Sequence, residues 1–349
     1  MSTDAPVSAA ALQQFTRAAF SAVGVPSESA AILAEALVES DLAGHDTHGV
    51  LRLPIYVGRV LDGGTPPDAR PEVIHDFAAS ALVDGHDGWG PVNAGFAMRL
   101  AVEKARTHGL GMVGVIRSGH LGRLGTYPLI AAEAGMIGAC LGNASARLAP
   151  WGGRRPFLGN NPWSVAVPAG AEPPVLVDMA NSIASAGKLR LLAGAGQPLP
   201  EGWALDSEGL PTTDPRAALA GLLQPMAGHK GYGITLLVDI MAGVLTGGAW
   251  GPAVLVVDKT AQKQNSCHLL VAIDPACFGD RDAFRQRMDA YIREVKAVPP
   301  AVGVAEVLLP GERSLRTRAR RLAAGIPLAP ATRAALAELA IRLQLPLPW

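Results

Sequence analysis

The chain is poor in cysteine, aromatic residues and charge. Its 349 residues include three cysteines, Cys140, Cys267 and Cys277, with no CxxC pair. An odd, scattered set is no disulfide framework, so a reducing, cytoplasmic setting is expected. Aromatic residues make up 5% and charged residues 17%, and 30 Lys+Arg balance 30 Asp+Glu. Zero net charge argues against a dedicated binder of nucleic acid or membrane surface, since either needs a basic excess. No basic-then-apolar leader opens the sequence, so no secretory signal is expected. The most apolar helix candidate, 234–247, is too short to span a bilayer and carries Asp239. The GxGxxG dinucleotide fingerprint and the GxxxxGK[ST] phosphate loop are both missing. Hydrophobic residues, by contrast, reach 49%. That suffices for a large core and a subunit interface besides.

The first stretch reads as helical. Ser8 is placed to cap a helix over 9–23 that Gly24 ends, and Ser27 to cap one over 28–43 that Gly44 ends. Pro54 suits the first turn of a helix over 54–62 and disfavours helix at Leu53. Residues 44–53 therefore read as a corner. From residue 72 strands and helices alternate: strands near 81–85, 111–118, 136–143, 163–169, 174–180 and 268–274, and helices over 90–109, 126–135 and 231–247. Residues 194–219, rich in Gly, Pro and Asp, read as an ordered covering loop. Two helices, 279–297 and 330–344, close the chain. The pattern predicts an α/β fold with a mixed or parallel sheet.

The polar corner "GHDTHGVLR" (44–52) admits three readings. His45 and His48 are at metal-ligand spacing, but no third ligand lies nearby in sequence. Asp46 or Thr47 can instead simply cap a helix. Or His48 exchanges a proton beside the Thr47 hydroxyl, with Arg52 as an anion clamp. Downstream, "SGHLGRLGTY" (118–127) joins a strand to a helix through glycines that let backbone N–H groups approach an anion. "APWGGRRPFLGNNP" (149–162), "LVDMANSIASAGK" (176–188) and "AGHKGYG" (227–233) add glycine-flanked polar groups suited to a phosphate-bearing cofactor.

With "PEGWALDSEGLPTTDP", "HLLVAIDPACF" and "LLPGERS", these segments occur in an order that resembles the malate/L-lactate dehydrogenase family of NAD(P)-dependent oxidoreductases. The likeness covers essentially the whole chain. It implies a non-Rossmann mixed-sheet cofactor domain with a helical domain built from both termini, and a homodimer. The divisions expected are 1–71 (helical), 72–278 (α/β cofactor and substrate core) and 279–349 (helical, packing with the first). The resemblance makes His48 the proton donor or acceptor and Thr47 its hydroxyl partner. It adds His120 and Lys188 to the catalytic set. Arg52 becomes the substrate-carboxylate ligand, with Asn160 and Gly187 facing substrate. His120, Leu121, Gly122, Arg123, Leu124, Asn143, Asp178, Met179, Ala180, His229, Lys230, Gly311, Glu312 and Arg313 are assigned to NAD or NADP, and no metal is implied.

Some positions depart from the family pattern. Asn160 stands where many members have Thr, Arg123 and Leu124 replace smaller residues, and Cys267 replaces a glycine. Lys188 stands where the family's imine reductases carry an acid. The expected activity interconverts a small 2-hydroxy acid and its 2-oxo acid. Its rivals are reduction of a cyclic imino acid, an idle cofactor-binding protein, and a metal-dependent hydrolase built on His45 and His48.

Overall fold

The computed structural model describes residues 5–349, apart from the side chains at 186 and 191. The chain opens with helices α1 (Ala9–Ala22) and α2 (Ser27–Leu42), two short 3-10 turns, and α3 (Leu53–Leu61). Next come β1 (Glu72–Phe77), β2 (Ser80–Gly88), α4 (Gly90–His108), β3 (Leu110–Ser118), α5 (Thr126–Glu133), β4 (Ile137–Gly142), β5 (Trp163–Val167) and β6 (Val175–Met179). A small lobe holds α6 (Ala186–Gly194), β7 (Ala204–Leu205), β8 (Pro211–Thr212), α7 (Pro215–Ala220) and β9 (Leu222–Leu223). The last elements are α8 (His229–Asp239), β10 (Ser266–Ile273), α9 (Arg281–Ala297), α10 (Glu312–Ala324) and α11 (Pro330–Leu343).

The main sheet runs β1-β2-β3-β10-β4-β5-β6. Its β2–β3 pair is parallel, joined through α4, and its other pairs are antiparallel. The fold is therefore mixed α/β, as expected, and not the doubly wound parallel sheet of a Rossmann domain. The two chain ends share one core. Leu12, Phe20, Leu33, Leu37 and Leu53 pack with Ile326, Leu336 and Leu339. Val7 and Ile326 exchange backbone hydrogen bonds of 2.9 and 2.8 Å. Each such side chain contributes roughly 1.5–3 kcal/mol on burial, so the terminal helices form one body. Asp289 of α9 accepts the backbone N–H groups of Gly170, Ala171 and Glu172 at 2.9–3.1 Å, pinning α9 to the β5–β6 turn.

Several local expectations change. Ser8 caps α1 by accepting from Ala11 N. Ser27 does not cap: helix α2 begins on it, and its hydroxyl accepts from Arg17 Nη2 at 2.6 Å. Leu53 is helical despite Pro54 behind it, because α3 continues a 3-10 turn. The segment 231–247 passes from α8 into a π turn at Ile240–Val244. The 194–219 loop contributes strands to a three-stranded sheet of order β8-β7-β9. Strand β1 and helix α10 had no sequence signal. Every residue of β1 is exposed and EVIHDF shows no alternation, while α10 is dominated by arginines, with Leu315 and Leu322 its only large apolar residues and none of its residues fully buried. Among the described residues no helix is long and apolar enough to cross a membrane.

Candidate active site

The corner after α2 is built around a buried carboxylate. Asp41 is 2% exposed and accepts the Val50 N–H at 2.8 Å. That bond folds the chain back and fixes the turns Asp46–His48 and Val50–Arg52. Gly49 has no room for a side chain, since a Cβ there would lie 1.8 Å from Asp41 Oδ1. Burial pushes the Asp41 carboxyl up to about 7. From α10, Arg321 hydrogen-bonds the Asp41 carbonyl and pairs with Asp46.

This geometry presents His48. Its Nδ1 lies 3.0 Å from Thr47 Oγ1. Burial, then the charge of Arg52, pushes its imidazole down to about 4, so it is neutral at pH 7. Arg52 Nε donates to the Thr47 carbonyl at 2.8 Å, and Nη1 lies 3.7 Å from Asp258. His45 lies 3.2 Å from Ser314 Oγ, and burial pushes it, too, to about 4. The two histidines thus have separate partners. Among the described residues no group of three or more His, Cys, Asp or Glu gathers as for a metal.

The second imidazole is His120, in the turn between β3 and α5. Its ring stacks on His48 with centroids 5.7 Å apart and planes 13° apart. Its Nδ1 receives the Tyr56 hydroxyl at 2.8 Å and the Gly122 N–H at 3.2 Å. A backbone N–H can only donate, so this Nδ1 is the bare nitrogen and the proton sits on Nε2. Burial holds its pKa well below the ordinary range. Gly90 lets α4 start against this turn, for a Cβ there would lie 2.2 Å from the His120 carbonyl oxygen.

A cleft of about 210 Å³ lies before the two rings. Of the residues expected at the site, His48, His120, Leu121, Gly122, Arg123, Leu124, Asn143, Asn160, Asp178, Met179 and Ala180 line it. Thr47, Arg52 and Gly187 are not part of its lining: Thr47 meets the His48 ring, Arg52 donates to the Thr47 carbonyl, and a Cβ on Gly187 would lie 3.6 Å from Thr47 Cγ2. Asn143 is spent on backbone, with Oδ1 accepting from Cys267 N and Nδ2 donating to the Ala249 carbonyl. Asp178 accepts the Gly125 N–H at 2.9 Å, and burial raises its pKa.

Other expected residues lie outside the cleft. Lys188 is exposed. His229 and Lys230 are exposed at the start of α8, where His229 meets the Trp151 ring edge-on. Gly311 backs β6, with Leu176 N donating to the Pro310 carbonyl. Glu312 pairs with Lys296 and Arg316. Arg313 reaches the site only through its charge on His45.

Sequence reasoning missed part of the wall: Gln264, Ser266 and His268 come from β10 and the loop before it. His268 is 1% exposed, and neither ring nitrogen has a partner among the described residues. His268 opens the HLLVAIDPACF segment but is given no site role there, and Gln264 and Ser266 lie outside every quoted segment. Arg59, only 3% exposed, positions that loop by donating to the carbonyls of Gly64, Val257, Lys259 and Gln262.

The wall fits a dinucleotide. Gly122 has φ +70° and open space beside it, and Arg123 Nε is buried without a hydrogen-bond partner. Comparison with known proteins points the same way. The family model described as malate/L-lactate dehydrogenase matches residues 7–337. An L-sulfolactate dehydrogenase of Methanothermobacter thermautotrophicus is 41% identical, covering 88% of each chain. A malate dehydrogenase of Pyrococcus abyssi is 38% identical, covering 88% of this chain and 86% of its own. The solved sulfolactate dehydrogenase of Methanocaldococcus jannaschii superposes with a TM-score of 0.93 at 31% identity, covering 98% of each chain. The chain belongs to the malate/L-lactate dehydrogenase family and is an oxidoreductase of 2-hydroxy acids.

Proposed function

We propose that the protein interconverts a small 2-hydroxy acid and its 2-oxo acid, with NAD or NADP, through unlike roles for His48 and His120. The observation that carries this reading is the stacked pair of imidazoles with different hydrogen-bond partners. When bound, the dinucleotide supplies or takes the hydride. The chain's own residues do the rest.

Arg52 binds the substrate carboxylate. Its Nε is spent on the Thr47 carbonyl, which leaves the Nη1/Nη2 fork. The loose 3.7 Å pair with Asp258 is one a substrate carboxylate can displace. His48 exchanges the proton at the substrate's C2 oxygen. Its Nδ1 proton goes to the Thr47 oxygen, so Nε2 faces the substrate. Neutral His48 takes the hydroxyl proton during oxidation. In the reverse direction a carboxylate on Arg52 offsets the charge that depresses His48, and so eases its protonation. His120 stays neutral and donates a hydrogen bond from Nε2 to the same oxygen without exchanging its proton. Asn160 and Gly187 face the substrate. Leu121, Gly122, Leu124, Met179 and Ala180 line the cofactor's share of the cleft. Lys188, His229 and Lys230 have no role in this reading.

A homodimer is part of the proposal. Ile234, Leu237, Ile240, Val244 and Leu245 are exposed along α8 and its π turn, an apolar stripe that a second copy would cover. A reducing cytoplasm suits three free cysteines, two of them buried.

The test is absorbance decay of NADH and NADPH, separately, with pyruvate, oxaloacetate, 2-oxoglutarate, sulfopyruvate and piperideine-2-carboxylate. Turnover of a 2-oxo acid is expected. Turnover of the cyclic imine alone would replace this reading with an imine reductase. Cofactor binding without turnover would make the protein an idle binder.

A further inference from the structure

Three polar side chains of β10 and the loop before it are buried along one wall of the cleft. Gln264 is 6% exposed, Ser266 2% and His268 1%, and all three line the cleft with His48 and His120. Strand alternation puts Ser266 and His268 on one face of β10. Cys267, between them, points toward Gly248, where a Cβ would lie 2.4 Å from its Sγ. A left-handed turn at Asn265, φ +59°, precedes the strand and brings Gln264 onto the same wall. The Leu255 N–H donates to the Gln264 carbonyl at 2.9 Å and holds this backbone.

The wall is short of partners. Gln264 Oε1 and both ring nitrogens of His268 are buried with no hydrogen-bond partner among the described residues. The carbonyls of Gly119 and Cys267 lie near the His268 ring but outside hydrogen-bond geometry. A buried polar group without a partner is costly, so its place on a cleft wall points to a bound one.

The chemistry of the wall says what it takes. An amide, a hydroxyl and an imidazole together donate and accept. Burial pushes the His268 imidazole down to about 4, so the set is neutral at pH 7. A second acid group would be buried there without a free cation. Arg123, also on the cleft, already faces Asp178 at 3.8 Å. The wall adjoins the substrate end, because His268 is close enough to His120 to weigh on its charge.

We propose that Gln264, Ser266 and His268 form a specificity subsite for an uncharged hydrogen-bonding group, a hydroxyl or an amide, on the substrate's carbon chain beyond C2. The inference rests on the dehydrogenase reading above.

The experiment compares kcat/KM for three 2-oxo acids of one shape: 2-oxosuccinamate, oxaloacetate and 4-methyl-2-oxopentanoate. They end in an amide, a carboxylate and a pair of methyl groups. The wild type should favour the amide over the other two by roughly tenfold or more. Gln264→Met keeps the side-chain length and removes the amide. It should cut the amide-to-methyl ratio to about a tenth. Ser266→Ala repeats the test if Gln264→Met folds poorly. Each ratio comes from one preparation, so the folded fraction cancels. A wild-type ratio near one, or a ratio that both variants leave unchanged, overturns the subsite. So does turnover confined to pyruvate, or a preference for oxaloacetate over the amide. Weaker NADH binding by Gln264→Met with an unchanged substrate ratio would give the wall to the cofactor, and overturns it too. Turnover of any 2-oxo acid leaves the dehydrogenase reading standing. Turnover of none removes both.

Discussion

Replacing Gly49 by alanine adds one methyl group where Asp41 already sits. The new Cβ would lie 1.8 Å from Asp41 Oδ1 and 2.2 Å from Cγ, far inside the ordinary contact distance of about 3.5–4.0 Å. Asp41 has little freedom to retreat: it is 2% exposed and pinned by the Val50 N–H at 2.8 Å. If its carboxyl swings away, that buried bond is lost and the Val50 N–H is left unpaired, at a cost of about 1–3 kcal/mol. If the backbone moves instead, overpacking costs about 1–3 kcal/mol. Gly49→Ala should therefore destabilise the fold by roughly 1–3 kcal/mol. It should also cut turnover, because His48 and Arg52 lie on either side of Gly49. Dinucleotide affinity should change less. Urea unfolding gives the stability, and steady-state kinetics give the rest. Gly187→Ala is the control. Its Cβ would be 3.6 Å from Thr47 Cγ2, an ordinary contact, so its urea midpoint should match the wild type. A Gly49→Ala protein with wild-type midpoint and turnover would refute this account of the corner.

Three further outcomes are expected. In an Asp41→Asn background, which removes the carboxyl pushed to about 7 and keeps an acceptor for the Val50 N–H, the neutral form of His48, pushed to about 4, persists as pH falls from 7 to 5, so kcat/KM for hydroxy-acid oxidation should stay flat there and drop only toward pH 4; a drop centred near 6.5 in that background would mean the ring is not desolvated. Arg52→Lys should raise KM for carboxylate substrates by losing the fork, and unchanged kinetics would remove Arg52 as the clamp. Arg59→Met leaves several buried carbonyls unpaired, each costing about 1–3 kcal/mol, so it should destabilise by about 3 kcal/mol or more; a chemical melt like that of the wild type would deny its hold on the 257–264 loop.

Much of the fold was legible because local rules decide it. Ser8, Gly24 and Gly44 punctuate the first helices, and apolar runs mark β3 and β4. Helix α10 was not legible. The segment ERSLRTRARRLAA is rich in arginine, has no fully buried residue, and is held by ion pairs such as Arg318 with Glu39 and Arg321 with Asp46, whose partners lie near the other end of the chain. Strand β1 was hidden for a similar reason: an edge strand exposed at every position has no alternation to read.

By itself the sequence determined which residue types were present to do chemistry. It placed His48, Arg52 and the glycine-rich turn around His120 as candidates, through motif order. The tertiary structure decided how they act. It stacked His48 on His120, residues that are distant in the chain. It turned Gly122 N–H and the Tyr56 hydroxyl toward one nitrogen of His120, and added His268 to the wall. Burial and hydrogen-bond partners set protonation and role, and both are properties of neighbours that only folding brings together.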